Sequence, residues 1–154
     1  MPVTSAGILL YRRRDGALEL LLVHPGGPFW RNRDEGAWMI PKGVIGPGED
    51  SADAAVREFE EELGTSPPGT PRPLCRIRQK GGKYVEAFAL EGDLDAGAIV
   101  SNEFTLEYPA RSGRFQSFPE VDRAAWFPMV EARAMILPSQ LPLLDALEAS
   151  LGGD

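Results

Sequence analysis

Apolar positions recur along this chain with two different periods, and the change of period predicts its elements. Residues 4–12 (T-S-A-G-I-L-L-Y-R) and 18–24 (L-E-L-L-L-V-H) are dense apolar runs on either side of the turn Arg14-Asp15-Gly16. They predict a hairpin whose second strand is well buried. Trp38-Met39-Ile40 predicts a short strand stopped by Pro41. From Ala55 the spacing becomes helical: Ala55, Phe59 and Leu63 recur every four residues, giving one buried stripe with the acids turned away from it. Asp50 or Ser51 is placed to cap this helix, and Gly64 to end it.

Beyond the stiff connector 66–73 (S-P-P-G-T-P-R-P), residues 74–80 and 84–90 predict two strands joined across Gly81-Gly82. Residues 102–116 read as irregular, with one candidate strand at 105–108, and 124–127 reads as a short strand. Residues 128–137 and 140–151 read as helices, the second with Leu141, Leu144, Leu147 and Leu151 at helical spacing. Strands, a central helix, more strands and closing helices predict a mixed α+β fold. A chain of 154 residues fits a single domain, 1–154.

Charge changes the picture at one place. The net charge is −7, yet residues 49–62 alone hold seven acids (Glu49, Asp50, Asp53, Glu58, Glu60, Glu61, Glu62) against Arg57. The acidity therefore belongs to a site, and no basic footprint for long nucleic acid is present. Cys75 is the only cysteine, so no intramolecular disulfide forms. A small buried residue on a strand and a reducing cytoplasm are the expected readings. The first residues lack the pattern of a signal peptide, and no apolar run approaches the roughly 20 residues that span a bilayer, so no membrane association is expected.

Glu58, Glu61 and Glu62 stand at i, i+3 and i+4, which projects all three from one helical face. Like charges at that spacing destabilise a bare helix, so the pattern points to a cation that neutralises them. Carboxylates without Cys or His nearby favour Mg²⁺, with Mn²⁺ as an alternative, over Zn²⁺. Such a cation polarises a phosphoanhydride and makes bound water nucleophilic. Arg57 is expected to pair with a carboxylate such as Glu49 and so to orient the loop, while Glu60 falls on the solvated side. Gly43 and Gly48 are expected to supply backbone conformations and exposed backbone groups beside the metal.

The segment 43–65 resembles the Nudix box, G-x5-E-x7-R-E-U-x-E-E-x-G-U. Gly43, Glu49, Arg57, Glu58, Glu61, Glu62 and Gly64 fill its fixed positions, and Phe59 and Thr65 depart slightly from its aliphatic ones. The approach Trp38-Met39-Ile40-Pro41-Lys42-Gly43 and the hairpin at the start of the chain are similar to the family as well. The resemblance implies an α/β/α sandwich with the loop and helix at its centre, and hydrolysis of a nucleoside diphosphate linked to another moiety. It assigns Gly43, Glu58, Glu61 and Glu62 to the metal and Arg57, Glu58 and Glu61 to catalysis. Glu120, six residues before Trp126, resembles the family's downstream glutamate. Either Glu61 or Glu120 serves as general base on this reading, with Glu103 and Glu107 as alternatives.

For substrate, Lys42, Arg76, Arg78, Lys80 and Lys83 are candidate phosphate contacts. Arg76, Arg78 and Lys80 alternate, so on one strand they share a face. Tyr84 follows and is placed to stack on a base. The N-terminal segments look most like the asymmetric diadenosine tetraphosphate hydrolase branch, which implies a small nucleotide substrate. A sanitising hydrolase of damaged nucleoside triphosphates or of ADP-ribose-type sugars is the alternative, and a non-catalytic nucleotide sensor a further one. His24, the sole histidine, is given no chemical role. Phe29 and Trp30, two aromatics in a polar loop, either fold back onto the core or form a platform for a planar ring. Residues 101–122 have no placed counterpart and are a candidate for reshaping the pocket.

Overall fold

A computed structural model describes residues 3–152. Thr4–Arg14 (β1) and Ala17–Pro25 (β2) form the expected hairpin, with Asp15 and Gly16 in the turn, both at positive φ. Lys42–Val44 (β3) pairs antiparallel with the first residues of β1. Ser51–Leu63 (α1) follows, then Arg72–Arg78 (β4) and Tyr84–Glu91 (β5). A second hairpin, Glu103–Glu107 (β6) with Phe115–Pro119 (β7), precedes Val121–Pro128 (β8). Met129–Met135 (α2) and Leu141–Ser150 (α3) close the chain.

The main sheet has six strands in the order β4-β5-β1-β2-β8, with β3 also on β1. It is mixed, because β5 runs parallel to β1 while the other pairings are antiparallel. Alternation along the strands feeds two cores. Leu9, Tyr11, Leu20, Leu22, Val85, Ala87 and Ala89 pack with Leu143, Leu144 and Leu147 of α3. Ala6, Ile8, Leu10, Leu21, Val23, Phe88 and Leu90 pack with Ala54, Ala55, Phe59 and Leu63 of α1. One helix on one face and two on the other make the α/β/α sandwich of an α+β protein. Among the described residues, no helix is long and apolar enough to cross a membrane.

Four expectations need correction. Trp38 and Met39 make only isolated bridges, to Ile136 and Val23, and the strand lies instead just beyond Pro41, at Lys42–Val44. The irregular stretch is a regular hairpin, five residues against five. Residues 72–78 form β4, which leaves Lys80 beyond the strand and off the face shared by Arg76 and Arg78. Cys75 is half-buried rather than buried.

The topology gathers chemistry at one end. The starts of β1, β5 and β8 and the ends of β2 and β4 meet there, because Thr4 pairs with Tyr84, Tyr84 with Arg78, and Pro25 with Val121. The strand β3 joins the same end through Ala6–Gly43.

Candidate active site

The helix α1 starts and stops where local chemistry requires. The Asp50 side chain accepts the Asp53 N–H at 2.8 Å, and Gly64 ends the helix in the left-handed region at φ 74°. Ahead of the cap, Glu49 and Gly46 close a tight turn, the Glu49 N–H donating to the Gly46 carbonyl and the Gly46 N–H to Glu49 Oε1. Arg57 reaches back from the helix to this turn. Its Nε and Nη2 donate to the two oxygens of Glu49 at 2.9 and 3.0 Å, a bidentate fork. Its Nη1 donates to Glu58 Oε2 at 2.7 Å and Glu61 Oε2 at 2.8 Å, and Nη2 also reaches the Val44 carbonyl. One guanidinium thus fastens loop, strand and helix. Its hydrogen bonds, with the Gly46 N–H, hold the Glu49 carboxyl down at about 2.

The other two helical carboxylates behave differently. Glu58 is 8% and Glu62 6% exposed, so the acids do not all face away from the buried stripe. With Glu120 they place carboxylate oxygens within 4.8 Å of one another. Burial pushes Glu62 up to about 9, and the neighbouring Glu58 and Glu120 charges push further, against the Lys42 ammonium and N–H. Glu120 is raised too, by burial first and then by Glu58 and Glu61. Lys42 is lowered, chiefly by burial, with Lys83 adding repulsion. Glu58 keeps the Arg57 guanidinium, but Glu62 and Glu120 have only the Lys42 ammonium set against their crowding, and hard oxygen donors at this separation fit a divalent cation.

Gly43 is required by a close approach. A Cβ on it would sit 2.0 Å from Glu58 Cδ, so only glycine lets that carboxylate lie against β3. Glu61, the third residue of the expected helical face, is outside the trio and holds Arg57 instead. Glu60 is exposed and accepts from Ser66 Oγ.

Glu120 arrives at the cluster through backbone contacts far apart in sequence. The Asn102 N–H donates to the Glu61 carbonyl, and the Glu120 N–H donates to the Asn102 carbonyl, both at 2.8 Å. The Gly26 N–H donates to the Glu120 carbonyl at 2.9 Å. Ser101 Oγ accepts the Val121 N–H and donates to the Asn102 carbonyl. Sequence reasoning missed Ser101 and Asn102; a Ser-Asn pair signals only a turn, and their partners lie about 20 to 40 residues away along the chain. Glu103 is exposed, and Glu107 accepts the N–H groups of Arg111 and Gly113 at the hairpin tip, so neither joins the trio.

The substrate candidates divide. Arg76 pairs with Glu86 and Arg78 with Tyr84, and β5 carries Phe88 and Leu90, of the same parity, into the α1-side core. Arg76, Arg78, Tyr84 and Glu86 therefore occupy the α1 face at the chemical end of the sheet. The row Arg76–Glu86–Ala6–Gly43 crosses three strand spacings, roughly 14 Å, to the cluster. The Arg76 guanidinium lies over the Tyr84 ring at 4.2 Å. His24 is fully buried between Asp122 Oδ1 (2.9 Å) and the Arg33 carbonyl (2.6 Å), a brace between β8 and the 26–36 loop. Neither loop aromatic enters a core: Phe29 is 65% exposed against Tyr108, and Trp30 is half-buried under Arg33.

Comparison with known proteins places this arrangement. The family model described as NUDIX domain matches residues 1–147. The chain belongs to the NUDIX family. It is a hydrolase of the pyrophosphohydrolase type, acting on acid anhydrides. Among its relatives is the Caenorhabditis elegans bis(5'-nucleosyl)-tetraphosphatase (asymmetrical), 40% identical over 62 residues; the match covers 40% of this chain and 41% of that relative's length. The RNA pyrophosphohydrolase of Rhodospirillum rubrum is 28% identical over 163 residues, covering 99% of this chain and 93% of the relative. Among solved structures, a binary complex of C. elegans Ap4A hydrolase superposes with a TM-score of 0.67 at 24% identity, covering 97% of this NUDIX chain and 99% of that one. The NUDIX domain of Shewanella oneidensis NrtR, solved with ADP ribose, gives 0.69 at 19% identity, covering 98% and 89%. At these identities the superpositions speak for the fold alone.

Proposed function

We propose that the protein is a Mg²⁺-dependent pyrophosphohydrolase, with Mn²⁺ also serving, that cleaves a phosphoanhydride bond in a nucleoside or dinucleoside polyphosphate. The observation that carries this is the trio of buried Glu58 and Glu62 with half-buried Glu120, gathered with their oxygens within 4.8 Å at the sheet end shared with Lys42, Arg78 and Tyr84. A divalent cation held there neutralises the carboxylates and acidifies bound water. Glu58, Glu62 and Glu120 would hold it, and Gly43 keeps the space for Glu58. Arg57 fixes Glu61 and Glu49 in place. Removal of the water proton falls to Glu61 or Glu120; near-normal turnover of Glu61→Gln on a confirmed substrate would leave Glu120 as the base. Lys42, Lys83, Arg76 and Arg78 supply positive charge to the phosphate chain, and Tyr84, backed by Arg76, stacks on a base. The lone Cys75 supports a reducing cytoplasm as the compartment.

The small-nucleotide reading follows the local charge balance and the similarity to the bis(5'-nucleosyl)-tetraphosphatase. The full-length similarity to an RNA pyrophosphohydrolase favours a second reading, removal of pyrophosphate from a 5'-triphosphorylated RNA. A panel of diadenosine tetraphosphate, nucleoside triphosphates, ADP-ribose and a 5'-triphosphorylated oligonucleotide, run with Mg²⁺ in ¹⁸O-water, tests both. Cleavage of diadenosine tetraphosphate with the highest kcat/KM, yielding labelled mononucleotide or labelled remainder by mass, is expected. No cleavage of any member with Mg²⁺ or Mn²⁺ overturns the proposal.

A further inference from the structure

The second hairpin and the 26–30 loop build an aromatic surface that the chemistry above leaves unused. Residues Phe104, Tyr108 and Phe118 occupy one face of β6–β7, since Phe104 pairs with Phe118 and the Tyr108 N–H continues the ladder to Arg114. Their rings interlock: Phe104 with Phe118 at 6.0 Å, and Tyr108 edge-on to Phe118 at 6.5 Å. The loop packs against that face at Gly27, where a Cβ would meet the Phe104 ring at 3.0 Å. Phe29 then caps the row edge-on to Tyr108, with centroids 6.0 Å apart and planes at 85°. Phe29 itself is 65% exposed, an apolar ring supported from one side and open on the other.

Its position relates this wall to the carboxylates. The hairpin runs directly into Glu120, and Gly26, three residues before Phe29, is bonded to the Glu120 carbonyl. Three residues of chain reach at most about 10 Å. Tyr84, by contrast, lies beyond β1 on the opposite side of the trio, because the sheet order sets β5 and β8 on opposite flanks of β1 and β2. Arginines accompany the rings: Arg31 follows Trp30, and Arg111 and Arg114 form the hairpin tip, where Glu107 is occupied by backbone N–H groups. None of these three guanidiniums has a carboxylate partner among the described residues. Aromatics interleaved with arginine form a surface on which bases stack and phosphates are neutralised.

We propose that Phe29, supported by Tyr108, stacks the second nucleobase of a dinucleoside polyphosphate whose phosphate chain lies across Glu58, Glu62 and Glu120 and whose first base lies at Tyr84. The inference rests on the phosphoanhydride reading of that site. It makes the wall a specificity element: substrates with a base at both ends gain it, and mononucleotides do not.

The test measures equilibrium binding, by calorimetry, of a methylene-bridged, non-hydrolysable diadenosine tetraphosphate analogue, of adenosine tetraphosphate and of a 5'-triphosphorylated RNA dinucleotide. Wild type, Phe29→Ala and Phe29→Trp are compared, with wild-type turnover of the natural compounds assayed alongside. Because Phe29 is exposed, its truncation leaves the fold intact; Phe29→Trp, which restores a ring at the same place, is the second variant. Expected is a loss on the order of tenfold for Phe29→Ala with the dinucleotide only, as for removal of one base stack, with rescue by Phe29→Trp. Equal weakening for both ligands, no weakening, or no preference of wild type for the dinucleotide overturns the wall. Weakening for a 5'-triphosphorylated RNA dinucleotide without weakening for the diadenosine compound also overturns it. Base-dependent binding without any turnover in Mg²⁺ or Mn²⁺ supports the wall and removes the hydrolase reading of the site.

Discussion

The two ends of the main sheet solve the problem of charge in opposite ways. At one end Arg12 donates to Glu19 at 2.8 Å and Asp93 at 2.7 Å and lies over the Trp126 ring at 4.0 Å, lining a cavity of about 620 Å³ with Arg14, Asp95 and Ala96. Every one of the Arg12 contacts joins opposite charges or covers an aromatic face. At the other end Glu58, Glu62 and Glu120 crowd together, Glu58 and Glu62 almost wholly buried, and burial drives the carboxyls of Glu62 and Glu120 upward. A cavity lies at the first end, and the chemistry is proposed for the second. A satisfied ion network is structure; a cluster that protein groups leave unsatisfied is the mark of a site.

That contrast is most directly broken at Glu62. Glu62→Gln should lower kcat at least about 10²-fold on a confirmed substrate, while raising the metal-free Tm by several degrees at pH 8, at about 2–4 °C per kcal/mol. Steady-state kinetics and a thermal melt on one sample check both halves. Glu61→Gln should lower kcat comparably but leave the metal-free Tm nearly unchanged, because its partner Arg57 keeps Glu49 and Glu58. Gly43→Ala comes next. Displacing the Glu58 carboxylate should cost on the order of tenfold in kcat and about 1–3 kcal/mol of stability, the range for overpacking a tight site; a denaturant midpoint and kcat measure them.

A pH ramp sharpens the comparison. Glu62 is neutral in the folded chain up to about 9 but ionises near 4.5 when unfolded. The native state therefore holds more protons in that window, so the contribution is complete below 4.5 and is lost as pH rises toward 9. The metal-free Tm should decline across that interval in wild type, and the decline should flatten in Glu62→Gln. Glu49 has the opposite sign: depressed to about 2, it contributes above 4.5 and is lost as pH falls to 2. The smallest effect belongs to the paired end. Arg12→Ala should cost about 1 kcal/mol, read as a small Tm shift, with kcat unchanged within twofold.

What the sequence disclosed followed the range of the interactions involved. Glu58, Glu61, Glu62 and Arg57 were legible because one helix fixes their spacing, and the caps Asp50 and Gly64 depend on residues within one turn. Within the helix, however, spacing alone placed three glutamates on one face. Packing divides them, sending Glu58 and Glu62 inward and leaving Glu61 on Arg57. The second hairpin was legible only as one strand, because β6 and β7 pair across the seven residues 108–114 (Y-P-A-R-S-G-R) and its docking depends on Gly26, Gly27 and Glu61 far away. The misplaced strand at Trp38 has the same origin: its apolar run fits a strand, yet its bridges are single contacts to Ile136 and Val23.

The central claim is that Glu62 is held protonated by its own burial, and then by the Glu58 and Glu120 charges beside it, until a cation replaces the proton. Calorimetric titration of Mn²⁺ into metal-free protein at pH 7.5, in two buffers of different ionisation enthalpy, reads this exchange. The account predicts binding with about one proton released per cation, and loss of that release in Glu62→Gln. Cation uptake with no proton release, or no uptake at all, would contradict it.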